Sequence, residues 1–248
     1  MIKHEHKEFI FLAEAYWGLQ SRLQALGFDH TYDKHVYDCL VDQRFGDLQK
    51  HLLQATPEYV TRSAHFLENH DERRIAPVMP IERHRAAALM MLGLPGMRLL
   101  YEGQMRGVRL QVPAQLGRWP REKADLQVRE MYEKLLGVLK DSAVGHGEWR
   151  MLKPQPAWEG NPTARNVVIV QWWKSADEFD LVVVNLASHP GQCRVVLDTP
   201  GQGLHDWEVR DLLGAGTYER DGAGLAREGL QLDLPEDGAQ LLRFKPAK

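Results

Sequence analysis

The segment 9–14 reads FIFLAE, five apolar residues followed by a glutamate, and it decides how the first part of the chain is interpreted. An apolar run of this length, preceded by charged residues, is typical of a strand buried on both faces of a parallel sheet. Leu19, Leu23 and Leu26 follow at helical spacing, and Gly27 is a suitable residue to end that helix. The segment therefore predicts one strand followed by one helix.

Three more strand and helix pairs follow the first. The predicted strands span 28–32, 64–68 and 97–101, and the predicted helices span 36–52 with a break near Gly46, 82–92 and 124–140. Strands that alternate with helices indicate βαβ units and a parallel sheet. We therefore predict an α/β region over residues 1–147.

The pattern changes after residue 147, where a segment rich in proline and glycine marks a boundary. Short β-rich runs follow it at 166–173, 180–186, 192–197, 207–212, 230–234 and 239–244. Several short strands separated by turn residues predict an antiparallel β-sandwich. We therefore predict a second domain over residues 148–248.

Composition excludes several classes of protein. The 248 residues include 31 Lys and Arg against 34 Asp and Glu, so the net charge of -3 gives no electrostatic footprint for nucleic acid. No apolar stretch is long enough to span a membrane, and the charged segment 1–8 does not resemble a signal peptide. Two cysteines cannot form a disulfide framework, which favours a cytoplasmic location for the chain as written. No metal-ligand spacing is present, and no cofactor is expected.

Polar residues follow three of the predicted strands. They are Glu14, the run Asn69-His70-Asp71, and the segment YEGQ at 101–104. In α/β barrels the active site is built at the carboxyl ends of the strands, so these residues are candidates for one site. A carboxylate at the end of a buried strand must be paired or functional, because its desolvation is costly.

The segments FIFLAEAYW at 9–17, FLENHD at 66–71 and PGMRLLYEGQ at 95–104 resemble three motifs of the α-amylase family, which is family 13 of the glycoside hydrolases. They resemble the family's strand-five, strand-seven and strand-eight motifs, and they occur in the family's order. The resemblance covers essentially the whole chain but only the second half of the family's barrel. It implies a partial (β/α)8 TIM barrel (strands five to eight) over 1–147, followed by an all-β C-terminal sandwich over 148–248.

The resemblance also implies a role for individual residues. Glu14 is similar to the general acid/base that protonates the leaving glycosidic oxygen. Asp71 is similar to the carboxylate that stabilises the transition state, and His70 to its neighbour that hydrogen-bonds the same sugar ring. Tyr16 and Trp17 either line the sugar-binding cleft or pack inside the barrel.

Other residues near these motifs have alternative interpretations. Asn69 is expected to brace the local backbone. Arg73 or Arg74 pairs with a site carboxylate or lies on the solvated surface. The tryptophans of the β region either form a carbohydrate platform or, as we favour, pack in its core; they are Trp172, Trp173 and Trp207.

One catalytic group of the family has no counterpart in the sequence. Retaining glycosidases need a nucleophile and an acid/base about 5–5.5 Å apart. In the family the nucleophilic aspartate ends strand four, and none of the thirteen residues before Glu14 is an aspartate. Asp29, within the second predicted strand, and Asp33, directly after it, fit no family motif. We therefore expect the isolated chain to be inactive, and its open sheet edges to pair with a missing N-terminal barrel half or a second copy.

Three readings of function remain open. The first is part of a retaining hydrolase acting on α-linked glucans such as starch, glycogen or maltooligosaccharides, or of a transglycosylase of the same family. The second is a non-catalytic carbohydrate-binding or partner module, and the third is an unrelated α/β protein. The resemblance leaves the exact glucan and any structural calcium open, and the targeting of a longer parent stays unknown.

Overall fold

The structure, a computed structural model, describes residues 2–113 and 115–247. The α-helices of these residues are α1 (Ile2–Glu5), α2 (Gln20–Ala25), α3 (Lys34–Val41), α4 (Phe45–Gln54), α5 (Pro57–Thr61), α6 (Ile81–Gly93), α7 (Leu126–Lys140) and α8 (Gly222–Glu228). The strands are β1 (Leu12–Ala13), β2 (His30–Tyr32), β3 (Ser63–His65), β4 (Met97–Arg98), β5 (Glu148–Leu152), β6 (Gln155–Pro156), β7 (Val167–Ser175), β8 (Glu178–Asn185), β9 (Gly191–Val195), β10 (Trp207–Asp211), β11 (Thr217–Arg220), β12 (Leu230–Leu234) and β13 (Ala239–Pro246).

The first four strands form a parallel sheet in chain order, β1-β2-β3-β4. Leu12 lies opposite His30, and Ala64 lies opposite Met97. Each strand is connected to the next through at least one helix, as parallel pairing requires. The parallel sheet that the alternating pattern predicted is therefore present.

These strands are shorter than predicted, most clearly at the first one. The apolar run was expected to form a strand from residue 9, but β1 begins at Leu12, and Phe9 and Ile10 are exposed. In the part of the chain that is described, β1 pairs with β2 on one side only. A strand at a sheet edge lacks half of its backbone partners, which explains why its first residues leave the sheet.

The predicted helix 36–52 is two helices, and the break lies before the predicted position at Gly46. α3 ends at Val41 and α4 begins at Phe45, with Gln43 between them in the left-handed region at φ 56°. The start of α3 is fixed by Asp33, whose carboxylate accepts a hydrogen bond from the amide of Val36.

The six-stranded sheet of the β region has the order β11-β10-β13-β8-β7-β5, and all its neighbours pair antiparallel. β7 and β8 lie in its interior and are buried on both faces. Val167 and Ile169 face a core shared with the three-stranded antiparallel sheet β12-β9-β6, whereas Val168 and Val170 face the helices. The antiparallel β structure predicted for this region is confirmed.

Helix α6 joins the two regions. All residues from Ala86 to Gly93 are buried, which explains why the sequence of this helix lacks a polar stripe. Trp172 on β7 donates a hydrogen bond from its indole Nε1 to the carbonyl oxygen of Gly93 at 2.9 Å. The hydrophobic core is therefore continuous from the α/β region to one face of the six-stranded sheet. No helix of the described ranges is both long enough and apolar enough to cross a bilayer.

Replacement of Gly93 by alanine tests this contact. A Cβ atom at residue 93 would lie 2.7 Å from Cγ1 of Val182 on β8, so Gly93→Ala is expected to lower the free energy of unfolding by about 1–3 kcal/mol. Gly137 in α7 has no atom within 4 Å of such a Cβ, so Gly137→Ala is expected to leave stability unchanged or raise it slightly. Urea unfolding measures the change in the free energy of unfolding for both variants. Equal changes for Gly93→Ala and Gly137→Ala would contradict close packing of α6 on β8.

Candidate active site

The candidate residues lie at the carboxyl ends of two strands of the parallel sheet. Glu14 directly follows β1, and the run Asn69-His70-Asp71 begins four residues after the end of β3. β2 lies between these two strands. Parallel strands end at the same edge of a sheet, so both segments project from that edge.

Glu14, His70 and Asp71 come together there. His70 Nε2 lies 3.5 Å from Glu14 Oε2 and 3.6 Å from Asp71 Oδ1. One ligand atom from each of the three residues lies within 4.8 Å of the other two. The three side chains are partly exposed, so a ligand can reach them. The same donor set is close enough to hold one cation, and the prediction of no metal site remains a prediction.

Tyr16 contacts this group directly. Its hydroxyl donates a hydrogen bond to Glu14 Oε1 at 2.8 Å. Burial raises the pKa of Tyr16 far above its ordinary value, and the hydrogen bond to Glu14 raises it further, so the phenol stays a donor. Trp17 is 89% exposed and lies in the left-handed region at φ 60°. The alternative that Trp17 packs inside a barrel is therefore wrong.

Asn69 shapes the turn that presents His70 and Asp71. Its Oδ1 accepts hydrogen bonds from the amides of Asp71 at 2.9 Å and Glu72 at 2.8 Å. The expectation that Asn69 braces the local backbone is confirmed. Since the side chain is buried and engaged with the backbone, it acts on the site through the turn.

Arg74 fits neither of the alternatives given for Arg73 or Arg74, whereas the exposed Arg73 fits the solvated one. Arg74 was expected to pair with a site carboxylate or to be solvated, but it is buried and pairs with Glu68, with Nη1 donating to Oε1 at 2.7 Å. The other oxygen of Glu68 accepts from the amide of Ile75 at 2.6 Å. Arg74 Nη1 also donates to the carbonyl oxygen of Glu102 at 2.6 Å, which ties this turn to the segment after β4. Arg73 is exposed.

The third polar segment, 101–104, makes hydrogen bonds inside the protein through Gln104. Gln104 is buried, and its Nε2 donates a hydrogen bond to the hydroxyl of Tyr132 at 2.7 Å. The Tyr132 hydroxyl lies 3.0 Å from His84 Nε2. That hydroxyl accepts from Gln104, so its own proton can be donated to Nε2 of a neutral His84. Burial lowers the pKa of His84 to about 4, in agreement with this arrangement.

The two aspartates near the second strand are engaged with groups outside the Glu14–His70–Asp71 cluster. Asp29 precedes β2, at the opposite end of the sheet, and its carboxylate pairs with Lys3 at 2.6 Å. Asp33 is buried, and its Oδ2 lies 3.5 Å from His51 Nε2 and 3.6 Å from His65 Nδ1. Burial acts to raise the pKa of Asp33, but these histidines and the amide that it caps hold that pKa below its ordinary value.

The sequence reasoning missed Lys34 and Glu72 at the rim of the site. Lys34 Nζ lies 2.9 Å from Glu72 Oε1 and 2.6 Å from Asp38 Oδ1. It also lies 6.0 Å from the ring centroid of Tyr16. Only their positions in the sequence could have indicated them: Lys34 is two residues beyond β2, and Glu72 directly follows Asp71.

Solved structures match the chain over its whole length. The α-amylase of Geobacillus thermoleovorans matches with a TM-score of 0.70 and 18% identity, over 100% of this chain and 56% of its own. The maltogenic α-amylase AmyB of Thermotoga neapolitana matches with a TM-score of 0.71 and 14% identity, over 99% and 56%. The debranching enzyme of Nostoc punctiforme matches with a TM-score of 0.61 and 16% identity, over 97% and 51%.

These matches confirm the resemblance to the α-amylase family at the level of the fold. No protein-family model and no curated protein sequence matches the chain. The chain spans about half the length of the solved structures that it matches.

The buried Glu68–Arg74 pair gives the first prediction from this site. Arg74→Met is expected to lower the free energy of unfolding by about 3–5 kcal/mol, because it leaves the Glu68 carboxylate buried without its partner. The double variant Glu68→Gln/Arg74→Met is expected to recover part of that loss. Arg129→Met, at the exposed Arg129–Glu133 pair, is the matched control and should change stability little. Additive losses in the double variant would contradict a coupled pair.

The neutral His84 gives a prediction about pH. Between the ordinary histidine pKa of about 6.5 and the folded pKa of about 4, the unfolded chain binds a proton that the folded chain does not. Stability due to His84 is therefore present above pH 6.5 and is lost as the pH falls. From pH 7 to 4.5 the wild type is expected to lose about 2 kcal/mol more than His84→Gln, as measured by urea unfolding. Parallel pH profiles for the two proteins would show that His84 is not held neutral.

Proposed function

We propose that the chain is part of an α-amylase-type retaining glycoside hydrolase that acts on α-linked glucans. The observation that carries the proposal is the convergence of Glu14, His70 and Asp71 within 4.8 Å at the carboxyl ends of a parallel sheet. Glycosidases use a pair of carboxyl groups with different protonation states, and this group offers two carboxylates beside a histidine. The α-amylase-like fold of the whole chain supports the same class of reaction.

The proposal includes the architecture. The sheet β1-β2-β3-β4 corresponds to strands five to eight of a (β/α)8 barrel, over residues 1–147, and residues 148–248 form the C-terminal β-sandwich domain. The chain order of the parallel strands and the coverage of about half of each matched structure support this assignment.

In this mechanism Glu14 is the acid/base. Its Oε1 accepts the hydrogen bond from Tyr16, which leaves Oε2 to carry the proton that is delivered to the leaving glycosidic oxygen. Asp71 stabilises the positive charge that develops on the sugar ring, and His70 hydrogen-bonds a hydroxyl of the same ring. The exposed ring of Trp17 offers a stacking surface for a neighbouring sugar.

The nucleophile is proposed to come from outside this chain. Asp29 is paired with Lys3, and Asp33 is buried beside two histidines. The carboxylate of Glu72 is held by Lys34. The missing N-terminal half of a barrel or a second copy would supply the carboxylate that a retaining reaction needs about 5–5.5 Å from Glu14. The chain alone is therefore expected to be inactive.

Ligands of the matched structures support a glucan-like substrate. The Geobacillus α-amylase was solved in complex with acarbose, and the Nostoc enzyme was soaked with it. An Arthrobacter globiformis hydrolase of the same fold was solved with cyclic maltosyl-maltose. A transglycosylase would use the same catalytic groups, since only the attacking acceptor differs.

A non-catalytic carbohydrate-binding module is the second candidate. It is favoured by one specific observation, the 89% exposure of Trp17 beside a polar group that holds no assigned nucleophile. Trp172 and Trp207 do not contribute a platform, because both are buried in the β region, and Trp173 packs against its core.

Binding of acarbose to the purified chain tests the site. Asp71→Asn is expected to weaken binding about tenfold or more in a calorimetric titration, because it removes charge-assisted hydrogen bonds to the ligand. Asp177→Asn, at an exposed turn of the β region, is the matched control and should bind like the wild type. Equal affinities for all three proteins, or no binding to the wild type, would contradict the assigned site.

Reducing-sugar release from soluble starch tests the role of Glu14 and the missing nucleophile. Neither the wild type nor Glu14→Gln is expected to release sugar, while Glu14→Gln keeps its affinity for acarbose within a few fold. A different result would be sugar release by the wild type and by the exposed-surface control Glu58→Gln, but not by Glu14→Gln. It would support Glu14 as the acid/base and would refute the inactivity of the chain.

A further inference from the structure

The Glu14–His70–Asp71 group has the composition of a transition-metal site. One imidazole and two carboxylates meet there, and each offers a ligand atom within 4.8 Å of the other two. Proteins bind zinc through donors of these kinds, and many zinc sites use three protein ligands and leave one position open. Metal-ligand spacing in the sequence did not reveal this set, because Glu14 follows β1 and His70 follows β3.

The separations between the ligand atoms fit a zinc ion. His70 Nε2 lies 3.5 Å from Glu14 Oε2 and 3.6 Å from Asp71 Oδ1. Ligand atoms that bind one tetrahedral zinc at about 2.0–2.2 Å lie roughly 3.3–3.6 Å from one another. The two carboxylates lie within 4.8 Å of each other, and the Asp71 side chain is 62% exposed, so it can rotate toward an ion.

The group also carries negative charge that the protein does not neutralise. Among residues 2–113 and 115–247, neither Glu14 nor Asp71 forms an ion pair with a lysine or an arginine. Lys34 at the rim is paired with Glu72 and Asp38 instead. Both distances from His70 exceed the roughly 2.7–3.2 Å of an ordinary N–H···O hydrogen bond. A cation bound between the three atoms would offset this charge.

Two further contacts orient the ligands before an ion binds. The hydroxyl of Tyr16 donates to Glu14 Oε1 at 2.8 Å, which leaves Oε2 for the ion. Asn69 Oδ1 accepts from the amides of Asp71 and Glu72, so it fixes the turn that presents His70 and Asp71. Hydrogen bonds of this kind, behind the ligating atoms, are a regular feature of metal sites in proteins.

We propose that Glu14, His70 and Asp71 bind one divalent transition-metal ion of the zinc type, and that the bound ion excludes a saccharide from the site. Calcium takes about six to eight oxygen ligands, so a set of three that includes an imidazole suits zinc better. The ion occupies Glu14 Oε2, which the proposed mechanism needs for its proton. Zinc binding itself goes beyond the proposed function, and only the competition with a saccharide rests on it.

Calorimetric titration of the full 248-residue chain with zinc chloride tests the site. We expect one ion per chain, and His70→Gln and Asp71→Asn are each expected to weaken its binding at least about tenfold, since even changes behind the ligating atoms cost about 10–100-fold. The control His4→Gln/His6→Gln, in the exposed segment before β1, keeps the affinity of the wild type. Because both replaced side chains at the site are partly exposed, their urea midpoints should stay close to that of the wild type.

The competition is tested by titrating acarbose into the chain with and without zinc. At a zinc concentration about 100 times its Kd, a competing ion is expected to weaken the apparent affinity for acarbose about 100-fold. Calcium chloride at the same concentration is the control ion and should leave the acarbose affinity unchanged.

Four results would overturn the inference. They are no zinc binding to the wild type, equal zinc affinity in His70→Gln, loss of binding in His4→Gln/His6→Gln alone, and calcium binding as tight as that of zinc. An acarbose affinity that zinc leaves unchanged would refute the exclusion of the saccharide. The proposed function fails separately: zinc binding that His70→Gln weakens, with no acarbose binding to the metal-free chain, would leave the metal site standing without the saccharide site.

Discussion

The buried ion pair between Glu68 and Arg74 is the contact on which the candidate site depends. Glu68 accepts hydrogen bonds from Arg74 Nη1 and from the amide of Ile75, so it closes the turn that carries His70 and Asp71. The same guanidinium donates to the carbonyl oxygen of Glu102, beyond β4. The strands of the parallel sheet are only two or three residues long. The position of the site therefore follows from this pair as much as from the sheet.

The site places three polar side chains together at a partly exposed position. His70 lies between the carboxylates of Glu14 and Asp71, and Tyr16 donates to the far side of Glu14. Two carboxylates this close repel each other when both are ionised, and only a protonated histidine between them offsets that repulsion. A carboxylate pair with one strong neighbouring donor fits acid/base chemistry on a glycosidic bond, which is why we favour an enzyme over a simple binding module.

The sequence predicted the parallel sheet and the two carboxylates of the candidate site. Glu14 and Asp71 could be singled out because each follows an apolar segment that predicts a strand. The role of Arg74 could not be predicted, because its partners Glu68 and the Glu102 carbonyl are set by the turn and by a segment 28 residues away. The length of the first strand was overestimated, because local hydrophobicity does not reveal whether a neighbouring strand is present to pair with it. Asp33 was left as a candidate since sequence alone did not show that it caps α3 beside two histidines.

A crystal structure of the chain with bound acarbose tests the central claim, that Glu14, His70 and Asp71 form one saccharide-binding site at the carboxyl end of the sheet. The account predicts a sugar ring within hydrogen-bond distance of both His70 and Asp71, with a glycosidic oxygen or its nitrogen equivalent facing Glu14. Acarbose bound elsewhere on the chain, with these three side chains free of it, would contradict the account.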